Sequence, residues 1–97
     1  MPENDARFAE SLATLRDARR VIQGELQAIA EARFLDRDRL ALVEESARSF
    51  EEQADALARM TVGQDAPEAL VDEAEDLFDY FRQIEERIEA MIEASLA

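Results

Sequence analysis

Three apolar seams with alternating spacings of three and four residues run along this chain, and they leave room for little except long α-helices. Before Gly24, and on through it, the first seam is Phe8, Leu12, Leu15, Ile22, Leu26 and Ile29. The second is Leu40, Val43, Ala47, Phe50, Ala54, Leu57 and Thr61, and the third is Leu70, Ala74, Leu77, Phe81, Ile84, Ile88 and Met91. Each is a heptad pattern, which brings helices together nearly parallel or antiparallel. No alternating β pattern, internal repeat or low-complexity stretch interrupts them.

The breaks between seams decide the architecture. "GQDAP", residues 63–67, combines a Gly suited to a helix end with a Pro suited to a first turn, and Glu68 follows where a helix dipole favours an acid. A loop within residues 61–68 is therefore expected. "EARFLDRDRLAL", residues 31–42, is ambiguous. Continuing the first register predicts seam positions at 33, 36, 40 and 43, and Leu40 and Val43 land on it. That phase favours one helix over 4–61 followed by a shorter antiparallel helix over 68–96, dimerising into a bundle. Against it, Arg33 and Asp36 make the seam polar, and Phe34 and Leu35 fall beside it. A turn near 34–37 capped by Asp36 accounts for these, with Phe34 or Leu35 tucked into the core. The resulting expectation is an all-α, up-down-up three-helix bundle with coiled-coil-like heptad packing, a single helical domain over residues 1–97.

Two further apolar sets widen these faces. Val21, Ala28, Leu35 and Leu42 repeat every seven residues beside the main seam, which predicts added core in a bundle or a meeting place of protomers in a long hairpin. In the last helix Val71, Phe78 and Ile92 flank the seam, and Tyr80 joins Leu77, Phe78 and Phe81 in an aromatic cluster. That face exceeds what one antiparallel neighbour needs, so it meets two helices of this chain or one from outside. The candidate partner-binding residues are accordingly Phe34, Leu35, Leu42, Val71, Phe78, Tyr80 and Ile92.

Composition limits the chemistry. The 97 residues hold no His and no Cys, which removes the usual general base, phosphorelay acceptor, disulfides and sulfur- or imidazole-ligated metals. No glycine-rich phosphate loop is present, and Ser11, Ser46, Ser49 and Ser95 have no base to activate them. The net charge of −13 disfavours nucleic acid and anionic membrane as ligands. All eleven cationic residues are Arg, as expected from a GC-rich genome or a salt-adapted, lysine-poor proteome. The opening "MPENDARFAES" has neither the basic nor the apolar region of a signal peptide, and no apolar run reaches membrane-spanning length, so a cytoplasmic location is expected.

Charge is also uneven. Residues 1–62 carry thirteen acids and nine Arg, a net of −4, whereas residues 63–97 carry eleven acids and two Arg, a net of −9. Two basic groups, Arg16, Arg19 and Arg20 and then Arg33, Arg37 and Arg39, are placed to lie against the acidic last helix.

Only carboxylates remain as candidate metal ligands. "FEEQADAL" supplies Glu51, Glu52 and Asp55, and "DEAEDLFDYF" supplies Glu73 and Asp76. Over residues 50–81 this spacing resembles the EExx(E/D)…ExxD arrangement of the MazG-like all-α nucleoside triphosphate pyrophosphohydrolases. The resemblance implies Mg²⁺ held by these five acids against substrate phosphates. The chain lacks the downstream basic and Asn positions of that family, and the heptad register turns Glu52, Asp55 and Asp76 away from the seam. In composition alone the chain is also similar to flagellar and type III secretion chaperones. The favoured functional expectation is a small acidic helical protein-binding module, an adaptor, chaperone or assembly factor. It needs no cofactor and binds a protein partner, a second copy of itself being one candidate; the MazG-like enzyme is the alternative.

Overall fold

A computed structural model describes residues 2–96 as three helices, α1 (Pro2–Glu31), α2 (Arg37–Gly63) and α3 (Glu68–Leu96). They run up, down and up in a bundle with extents of 51 × 19 × 16 Å. No helix among the described residues is long and apolar enough to cross a membrane.

The turn between α1 and α2 ends the one-helix alternative. Asp36 takes an extended backbone and its side chain accepts a hydrogen bond from the Arg39 N–H at 3.0 Å, while its carbonyl accepts from Leu40 N–H at 3.0 Å. Asp38 follows in the first turn, where the helix dipole favours an acid. The break opens at residue 32, two residues ahead of the expected Phe34. The expected burial of Phe34 or Leu35 does not occur: they stay 79% and 39% exposed. The turn lies at the bundle's end, beyond the last core position of α1, Ile29, and the first of α2, Leu40.

The second loop falls where expected but is capped differently. Gly63 is the last residue of α2 and has no positive φ; Asp65 takes the left-handed conformation, with φ 52°. The Ala66 N–H donates to the Thr61 carbonyl at 2.9 Å and the Asp65 N–H to the Val62 carbonyl at 3.2 Å. This is the paired bonding of a Schellman cap, with Asp65 standing where Gly is usual. Pro67 precedes Glu68, and its carbonyl accepts from the Leu70 and Val71 N–H groups.

The seams make the core. Phe8, Leu12, Leu15, Ile22, Leu26 and Ile29 of α1 are buried, with Leu40, Val43, Ala47, Ala54 and Leu57 of α2 and Ala74, Leu77, Phe81, Ile84 and Ile88 of α3. Phe50, Leu70 and Met91 pack against them half-buried. Thr61 keeps its seam place because its hydroxyl donates to the Ala58 carbonyl at 2.8 Å. Packing is closest between α2 and α3, where Phe50 and Phe81 stack with ring centroids 5.5 Å apart. The α1 helix is held more loosely. Its seam skips from Leu15 to Ile22, and the gap is filled by Ala18 and Arg19, both half-buried.

Candidate functional site

Loose packing of α1 against α2 opens an apolar groove. Ala18, Val21, Ile22 and Glu25 form one wall and Leu42, Val43, Ser46 and Phe50 the other, around a volume of about 440 Å³. Val21 and Leu42 stand on its two edges, 62% and 64% exposed. The widened face expected to add core from Val21, Ala28, Leu35 and Leu42 is therefore outside the core, and all four residues are exposed. The cause is the third helix. α3 covers the inward faces of α1 and α2, and among the described residues no fourth helix covers the outward side. The small side chains Ala18 and Ser46 leave the space between the two helices unfilled.

The other partner-binding candidates are placed differently. Tyr80 and Phe81 meet edge to face at 5.4 Å, and the Arg19 guanidinium lies 5.6 Å from the centre of the Tyr80 ring. The wide face of α3 is thus used within the chain, against α2 through Phe50 and against α1 through Arg19. Ile92 packs half-buried against the core. Phe78 is half-buried beneath Arg82 and borders a second hollow with Ala58, Arg59 and Val62; Val71 borders a smaller one beside the loop. The charged residues Asp55, Arg59 and Glu75 line the Phe78 hollow, in contrast to the single charge, Glu25, of the α1/α2 groove.

The five carboxylates of the MazG-like pattern stay apart. Glu52 and Asp76 are exposed, and Glu51 is half-buried. Asp55, expected in solvent, is half-buried and paired with Arg59 one turn on at 3.1 Å. Glu73 pairs with Arg16 across the α1/α3 interface at 3.0 Å. Among the described residues no group of three or more His, Cys, Asp or Glu side chains is arranged to hold a metal ion. Of the basic groups expected against α3, Arg16 and Arg19 reach it, whereas Arg20 pairs with Asp17 and Arg33 stacks over Phe34.

Sequence reasoning missed a polar layer between α2 and α3. Glu85 is only 8% exposed and meets Arg48 Nε at 3.3 Å; Glu44 meets the same guanidinium at 3.8 Å. One oxygen of Glu85 and one of Glu44 are buried without a hydrogen-bond partner. Burial pushes the Glu44 carboxyl above its usual range, the neighbouring Glu89 carboxylate adds to this, and Arg48 opposes it. The signal lay in adjacency: Glu85 follows the seam residue Ile84 and Arg48 follows Ala47. The Tyr80 hydroxyl is also buried and unpartnered, and burial raises its pKa against the pull of Arg19 and Arg87.

No family model matches this chain, and no curated protein or solved structure is significantly similar to it. What is established is the class, an all-α three-helix bundle.

Proposed function

We propose that this chain is a small acidic protein-binding module, an adaptor, chaperone or assembly factor of the cytoplasm, which packs a partner's helix into the groove between α1 and α2. The observation that carries the reading is the pair Val21 and Leu42, large apolar side chains held on the two edges of one groove and mostly in water. Scattered single apolar residues on a surface need no explanation, but a groove with apolar walls and apolar edges does. Two helices side by side present the shape into which a third lays an apolar stripe. The small residues Ala18 and Ser46 in its walls allow a close approach.

The test is positional cross-linking in cells of the native source. A photoreactive side chain at Ser46, inside the groove, is compared with one at Glu86, exposed on α3. The reading expects polypeptide adducts at Ser46 and few at Glu86. Equal adducts at both positions, or none at Ser46, would contradict it.

A further inference from the structure

We propose that Glu44, Glu85, Glu89 and Arg48 form a proton-operated clamp between α2 and α3. One proton shared by Glu44 and Glu89 fastens the end of α3 to the start of α2, and its loss loosens that end. The clamp belongs to the bundle's own packing and is independent of what the α1/α2 groove binds.

The layer holds more acid than it can pair. Glu85 meets Arg48 Nε at 3.3 Å and Glu44 meets the same guanidinium at 3.8 Å. Glu89 follows Glu85 by one turn on the same face of α3, so three carboxyls share one cation. The side chains of Glu44 and Glu85 are only 17% and 11% exposed, and each leaves its Oε2 buried with no hydrogen-bond partner. A buried carboxylate oxygen without a donor is costly. One proton supplies the missing donor. Taken from water onto Glu44, it turns a carboxylate oxygen into an O–H group that donates to the Glu89 carboxylate beside it. Glu44 then gives up its long contact to Arg48, which is left to Glu85 alone. The charges acting on Glu44 come from Glu89 on α3 and Arg48 on its own helix, with none from α1 among the described residues. Burial and Glu89 favour the protonated form, and Arg48 opposes it.

The end of α3 is where such a clamp has leverage. Ile88 is the last fully buried residue of α3. Beyond it Met91 and Ile92 are only half-buried, and Glu89, Ala90 and Glu93 lie in water. Segments held by so little apolar burial are the first to open. Glu44 stands one turn after Leu40, the first core position of α2, so a bond from Glu44 to Glu89 ties the loosely held end to a well-held start. The sign follows from linkage. The folded chain holds the shared proton more tightly than the unfolded one, so the clamp is closed in mild acid and is lost as pH rises through the folded value.

Two measurements on the full chain test the clamp. In a carboxyl-carbon NMR titration, Glu44 and Glu89 should titrate in two coupled steps, each resonance sensing both protons. Glu89→Ala, a change at an exposed position, should reduce the Glu44 curve to one step at lower pH. Amide hydrogen exchange reads the consequence. Between pH 7 and pH 4.5, protection over residues 89–96 should rise more than over residues 54–61 at the far end of α2. Glu44→Gln, whose amide donates to Glu89 at any pH, should keep the higher protection throughout, and Glu89→Ala should keep the lower. Circular dichroism reports whether each variant folds. A single-step Glu44 curve unmoved by Glu89→Ala overturns the proposal. So does a rise in protection over residues 89–96 that persists in the Glu89→Ala chain, because the tightening would then come from general loss of negative charge.

Discussion

The Asp36 carboxylate accepts a hydrogen bond from the Arg39 N–H at 3.0 Å, and this one contact starts the second helix where the heptad phase alone would have let the first continue. Replacing Asp36 by Ala removes the cap and should cost roughly 0.5–2 kcal/mol in urea unfolding. Had α1 run on into α2, Ala at this position would be neutral or stabilising, so the sign of the change checks the turn in solution.

The other loop should respond in the opposite direction. Asp65 holds the left-handed position of a Schellman cap without the freedom of Gly, so Asp65→Gly should stabilise by about 0.5–1 kcal/mol. Gly24 lies inside α1 with open space where a Cβ would stand, so Gly24→Ala should gain a similar amount. Thermal melts of the two single variants and the double variant should add, since the sites share no partner.

Arg48 and Glu85 form the partly buried ion pair of the α2/α3 interface. Arg48→Met alone leaves Glu85 without its cation and should destabilise by about 1–3 kcal/mol. Changing both, Arg48→Met with Glu85→Leu, should recover most of that loss, because a well-packed apolar pair avoids the desolvation cost of the charges. A double variant as unstable as the single one would show that packing, and not the stranded charge, causes the loss.

Glu44 gives the bundle a pH response. Its folded carboxyl is raised above the ordinary 4.5 by burial and by Glu89, so the folded state holds the proton more tightly than the unfolded one. The contribution of Glu44 is therefore most favourable below its unfolded pKa and is lost as pH rises through the folded value. Urea titrations from pH 7 downward should show Glu44→Gln more stable than wild type at pH 7, with the difference shrinking as pH approaches 4.5. A difference constant with pH would contradict this.

Most of the fold was legible in the sequence, because burial at heptad spacing is a property of the chain's own periodicity. Ile29 and Leu40 are core on both the one-helix and the two-helix readings; only the cap chemistry of Asp36 separates those readings. Gly63 was misleading because glycine permits a left-handed turn without requiring one; it stays the last helical residue of α2, and the left-handed position falls on Asp65. The site was less legible. Val21, Ala28, Leu35 and Leu42 have the spacing of a core face, and nothing local says whether a third helix covers that face or its opposite. That depends on which side α3 takes, a long-range outcome favoured by contacts such as Phe50–Phe81 and Arg16–Glu73. Glu85 was hidden for a related reason: a carboxylate beside a seam becomes buried only when a neighbouring helix brings a cation to it.

The carboxylates at 51, 52, 55, 73 and 76 give a plain outcome for chemistry. Millimolar Mg²⁺ should leave the melting temperature unchanged, and nucleoside triphosphates incubated with the protein and Mg²⁺ should remain intact. A Mg²⁺-dependent rise in melting temperature together with pyrophosphate release would restore the pyrophosphohydrolase in place of the binding module.

Side-chain footprinting with hydroxyl radicals in intact cells of the native source tests the central claim most directly, because it reads whether the α1/α2 face is covered where the protein works. The account predicts that Val21 and Leu42 react far less than their exposure in the single chain requires, while Met60, Val62 and Leu96, exposed elsewhere on the bundle, react in full. Equal reactivity across both sets would mean that the groove stays open to water and that nothing docks there.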